Sequence, residues 1–95
     1  MTPEGRVKAD IKKWLKEQGA YFFMPVQTGY GAATLDFLCC FHGQFVAIEA
    51  KAPKTGRISK RQEIIAEEIE AARGFVIVAT SVAEVKAGFS EYGLI

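Results

Sequence analysis

The chain has 95 residues, 49% of them apolar and 12% aromatic, with 12 basic against 11 acidic residues and a net charge of +1. That length suits one small domain rather than two, with a core that needs no disulfide, and the near-neutral charge alone argues nothing about nucleic acid. The sequence shows no 18-residue apolar run and no basic-then-apolar leader, so neither a membrane span nor secretion is expected.

Thr2-Pro3 reads as an N-cap followed by proline in the first helical turn, and opens a helix to about Gln18 that Gly19 stops. Val7, Ile11, Trp14 and Leu15 form its apolar stripe, and Glu4 lies one turn upstream on that stripe. Lys8, Lys12 and Lys16 make an adjacent row at four-residue spacing, read as a solvated face. Tyr21 to Met24 is a short strand ended by Pro25, and Gln27 to Ala33 is a loop. Its Gly29-Tyr30-Gly31 precedes a strand and lacks the Lys-Ser/Thr of a phosphate loop, so that reading is set aside.

Thr34 to Phe41 and Gln44 to Lys51 flank His42-Gly43, a two-residue break that reads as a hairpin turn. Cys39 and Cys40 are adjacent and point to opposite faces, which suits buried strand residues in a reducing cytoplasm rather than a disulfide. After a loop, Ser59 and Gln62 form a capping box that opens a second helix with Ile65, Ile69 and Ala72 as its buried stripe. Phe75 to Ala79 is a continuous apolar run, expected to be a strand covered on both faces. Ser81 and Glu84 are a second capping box, starting a helix that carries Val82 and Val85. The tail with Phe89, Tyr92, Leu94 and Ile95 is too apolar to be free: it packs on the domain or meets a partner. The order is α-β-β-β-α-β-α, and the third strand, second helix and fourth strand should form a right-handed crossover between parallel strands.

With His42-Gly43 as the turn, Phe41 pairs with Gln44, and counting outward places Asp36 opposite Glu49. Opposed residues sit about 4.5–5.5 Å apart at Cβ, and like charges there are destabilising. A shared cation is the most economical reason for two facing carboxylates in apolar strands. Lys51, two residues beyond Glu49, falls on the same face. An Asp, a Glu and a Lys converging on one sheet surface equip a metal-dependent phosphodiesterase. From Lys51 to Arg61 the chain has five basic residues (Lys51, Lys54, Arg57, Lys60 and Arg61) and no acid, so positive charge would surround the site.

Asp36, a gap of twelve residues, then Glu49-Ala50-Lys51 inside this element order resembles the PD-(D/E)xK nuclease superfamily. Ile48 to Pro53, followed by Gly56 to Gln62 and joined to the Glu4 helix, looks like its VRR-NUC (virus-type replication-repair nuclease) family. The resemblance spans nearly residues 1–95, as one domain. It implies an α/β fold with a restriction-endonuclease-like core, a mixed four-stranded sheet flanked by helices. Leu35 stands where the family usually has a proline that shapes the strand entry.

The resemblance implies that Asp36 and Glu49 hold Mg²⁺ or Mn²⁺, hard cations that favour oxygen ligands. The Ala50 carbonyl would be a further ligand, and Lys51 would position or deprotonate the attacking water and stabilise the transition state. Lys51 as a mere neutraliser of the carboxylates is the bland alternative. Two readings fit Glu4: an acidic residue near the metal, or a helix N-terminal glutamate favoured by the dipole. Two also fit Gln62: a capping residue, or a side chain turned toward the site. Lys54, Arg57, Lys60 and Arg61 are the candidate DNA contacts. The resemblance further implies a homodimeric endonuclease of bacterial or phage-infected cytoplasm, acting in replication, repair or recombination on branched DNA such as Holliday junctions or flaps. A silent nuclease fold serving DNA binding or assembly, and a nuclease of RNA or restriction type, are the rivals. With no separate target-reading module in sight, selection by DNA shape is expected.

Overall fold

The first helix, α1 (Pro3–Glu17), begins where its capping chemistry requires: the Thr2 hydroxyl accepts the Gly5 N–H at 3.0 Å. It ends at Gln18, ahead of Gly19 at φ 72°. In this computed structural model residues 1–26 and 33–95 are described, so the loop around Tyr30 lies outside the described residues. Among the described residues four strands follow the expected order, β1 (Tyr21–Phe23), β2 (Phe37–Phe41), β3 (Gln44–Ala50) and β4 (Phe75–Ala79), with α2 (Lys60–Ala71) between the last two and α3 (Val82–Glu91) after them. The sheet runs β1-β2-β3-β4; its first two pairings are antiparallel and β3–β4 is parallel.

The β2–β3 turn sets the register of the hairpin. His42 and Gly43 both take positive φ, 48° and 80°, the combination that matches the twist of a two-residue hairpin. Phe41 therefore opposes Gln44 and Phe37 opposes Ile48, which leaves Asp36 and Glu49 on the next rung. The His42 ring stacks on Phe41 with centroids 4.0 Å apart, so it is a turn residue.

One face of the sheet carries the core. Phe37, Cys39, Phe41, Val46, Ile48, Ala50, Ile77 and Ala79 pack beneath α1 and α3, which supply Val7, Ile11, Trp14, Leu15, Val85 and Phe89. Trp14 meets the Phe89 ring edge-on at 4.9 Å, and Phe89 in turn meets Phe41 at 5.4 Å. Burial pushes the Cys39 thiol up to about 12, which removes its thiolate chemistry.

The opposite face departs from expectation. Ala66 is the buried residue of α2, Ile65 and Ile69 are half-buried, and Ala72 is exposed. Val78 of β4 is 45% exposed rather than covered, and Cys40 is exposed too. The physical reason is layout. β4 is an edge strand, and the 12-residue α2 lies against the β4 side of the sheet. Period-2 alternation therefore leaves Tyr21, Phe23, Cys40 and Phe45 on a face that α2 does not close. The tail resolves the other way: Phe89 is fully buried, Leu94 packs on the core, and the Tyr92 hydroxyl donates to the Val76 carbonyl at 3.1 Å. It packs on its own domain, with Ile95 left exposed.

Candidate active site

Asp36 and Glu49 brace each other's strands. The Asp36 N–H donates to Glu49 Oε1 at 3.0 Å, and the Ala50 N–H donates to Asp36 Oδ2 at 2.9 Å. Each carboxylate thus extends the hairpin ladder by one bond and keeps a second oxygen turned elsewhere. Backbone donors of this kind stabilise a charged carboxylate, which is how the sheet accommodates two of them side by side.

The second oxygens are held by cations and an amide. Lys51 Nζ lies 3.1 Å from Glu49 Oε2, and the Gln62 amide donates to that same oxygen at 2.6 Å. Lys51 Nζ also donates to Gln62 Oε1 at 2.9 Å, an atom that accepts the Ser59 N–H as well. Both readings of Gln62 therefore hold at once: it closes the capping box of α2 and bridges Lys51 to Glu49. On the other side, Lys8 Nζ lies 3.3 Å from Asp36 Oδ1 and 3.4 Å from Glu4 Oε2.

Glu49 is buried, and that burial, reinforced by the Asp36 charge, raises its pKa above the ordinary carboxylate value; Lys51 opposes the rise. Partial burial acts to lower the Lys8 pKa, but Asp36 and Glu4 outweigh it and hold the ammonium above its usual value. Three acidic side chains face two ammonium groups, a formal excess of one negative charge.

The donors are all oxygen, as a hard divalent cation prefers. Asp36 and Glu49 supply them, and the buried Ala50 between Glu49 and Lys51 carries the carbonyl that would join them. Glu4 reaches Asp36 only through Lys8, and among the described residues no three Asp, Glu, His or Cys side chains converge as a metal-holding group. The pair, not a triad, is the candidate metal centre.

The basic segment leaves this centre by a tight loop. A Cβ on Gly56 would fall 2.6 Å from the Ala52 nitrogen and 2.8 Å from the Lys51 Cβ, so the loop closes back on Lys51 only with glycine there. Arg57 donates to the Lys54 and Gly56 carbonyls at 3.3 and 3.0 Å, Lys60 pairs with Glu63 at 3.9 Å, and Lys54 and Arg61 are exposed. The contacts of Arg57 and Lys60 are thus local to their own loop and helix, away from Asp36 and Glu49. Lys8, expected on a solvated row, instead turns its ammonium to Asp36. The signal that could have found it is its position one turn after Glu4, beside the apolar stripe.

A solved structure described as a VRR_NUC domain superposes on this chain with a TM-score of 0.81. The match covers 97% of this chain and 99% of that one, at 22% sequence identity. This is the VRR_NUC fold. No protein-family model and no curated protein matches the sequence.

Within this VRR_NUC fold the two duties of Gln62 can be separated. Gln62→Ala should lose the reciprocal cap, costing about 1 kcal/mol, and also the contacts to Glu49 and Lys51, lowering metal affinity or turnover about 10–100-fold. Ser59→Ala removes the hydroxyl that accepts the Gln62 N–H at 3.1 Å and leaves the Gln62 side chain in place. It should match the stability loss with turnover nearly intact. Equal turnover losses in the two variants would reduce Gln62 to a cap.

Proposed function

We propose that this chain is a metal-dependent DNA endonuclease, acting in the cytoplasm on branched DNA in replication, repair or recombination. The observation that carries the reading is the convergence of Asp36, Glu49 and Lys51 at the open end of the β2–β3 hairpin on a VRR_NUC fold. Asp36 Oδ1, Glu49 Oε2 and the Ala50 carbonyl would hold Mg²⁺ or Mn²⁺. Such an ion, when bound, polarises phosphate oxygens and acidifies a coordinated water. Lys51, steadied by Gln62, puts a positive charge beside the same oxygens, where it can orient the attacking water and offset charge building on the phosphate.

Lys54, Arg57, Lys60 and Arg61 would bind the phosphate backbone, which fixes position without reading bases. Selection would rest on DNA shape, and a symmetric junction is best met by two copies about a two-fold axis. Phe89 and Leu94 of the tail pack on the core, so the broader apolar surface that supports such a contact is the open sheet face with Tyr21 at 76% and Phe23 at 58% exposure.

Cleavage assays across duplex, flap, splayed-arm and four-way-junction DNA, with Mn²⁺ or with chelator, test the reading, alongside sedimentation at micromolar concentration. Metal-dependent cutting, strongest on the branched forms, by a dimer is expected. DNA binding without cleavage under any metal would favour the silent binding module, and a monomer cutting junctions with uncoordinated nicks would refute the two-fold arrangement.

A further inference from the structure

We infer that Lys8 is a built-in competitor of the proposed metal: its ammonium sits on Asp36, and a divalent cation must displace it in order to bind. The inference rests on the metal reading above and adds a determinant of metal affinity from a different element of the fold. Asp36 Oδ2 is committed to the Ala50 N–H, so Oδ1 is the oxygen open to a metal, and Lys8 Nζ lies 3.3 Å from it. The same ammonium lies 3.4 Å from Glu4 Oε2 on its own helix, and its contact to Asp36 ties α1 to the hairpin.

An ammonium and a dication cannot both occupy one carboxylate oxygen without strong repulsion, so the two bind in competition. The two lysines of the site differ in how readily they yield. The Lys51 side chain is 13% exposed and hydrogen-bonded to Gln62, whereas that of Lys8 is 33% exposed and meets Asp36 and Glu4 at the longer distances of 3.3 and 3.4 Å. Lys8 can withdraw toward solvent on its flexible stem while Lys51 stays fixed.

Calorimetric titration of Mn²⁺ into the full chain without DNA tests this, comparing wild type with Lys8→Met, which keeps the apolar stem. The variant should bind Mn²⁺ about tenfold more tightly, the scale of one relieved charge repulsion near a surface. In chelator it should melt below wild type, and saturating Mn²⁺ should close or reverse that gap. Wild type that binds Mn²⁺ with Lys8→Met no tighter would overturn the inference while leaving the metal reading intact. Wild type that takes up no Mn²⁺ would overturn both.

Discussion

Asp36→Asn is expected to abolish Mn²⁺ binding and DNA cleavage together while the domain stays folded. The substitution keeps an oxygen to accept the Ala50 N–H, so the hairpin brace at 2.9 Å can survive. What it removes is the negative charge that faces Lys8 and any metal. Its effect on stability has a definite pH dependence. Glu49 is raised by burial and by the Asp36 charge, so the folded state binds its proton more readily than the unfolded one. Stability from that group is therefore greatest in acid and falls as pH rises from the unfolded carboxylate value through the raised folded value. Asp36→Asn removes one cause of the rise. In chelator its melting temperature should gain on wild type between acid and neutral pH, with the advantage vanishing where Glu49 is protonated in both. Melting curves across that range, with Mn²⁺ calorimetry at neutral pH, read out both effects. Metal uptake like that of wild type would sink the assignment of Asp36.

The hairpin was legible in the sequence because its geometry is local. A two-residue turn fixes a register by counting, and the Asp36–Glu49 rung follows from that register however the rest of the chain folds. Gln62 was half legible: its place in the capping box is written in Ser59 and the spacing, but its reach to Glu49 depends on how α2 sits on the sheet. Lys8 was not legible for the same kind of reason. Helical periodicity puts it beside the apolar stripe, yet whether it meets solvent or Asp36 is decided by where α1 crosses the sheet. The half-open burial of α2 and β4 also lies beyond periodicity, because a continuous apolar run looks the same in a central strand and in an edge strand that a short helix partly covers. Cys40 shows the point at a single residue, exposed one position after a buried Cys39 because only one face of β2 is closed.

Lys51→Ala is expected to lower turnover about 10²–10³-fold, the scale of removing one preorganised charge from a reacting centre, with DNA affinity little changed. Substitution of Lys54, Arg57, Lys60 or Arg61 should do the reverse: weaker binding and a shallower salt dependence, by up to about one unit of slope per lost phosphate contact, at near-normal turnover on saturating DNA. The measurement that decides the role of Lys51 is turnover at saturating Mn²⁺. Lys51 neutralises Glu49 at 3.1 Å, a duty that a bound dication would take over. If neutralisation were its whole role, excess Mn²⁺ would restore Lys51→Ala to wild-type turnover. A deficit that persists when metal and DNA both saturate belongs to the ammonium itself, held by Gln62 beside the oxygens of Glu49 and placed to act on the water or the phosphate. Full recovery under those conditions would move Lys51 from the catalytic residues to the counter-ions, alongside Lys8.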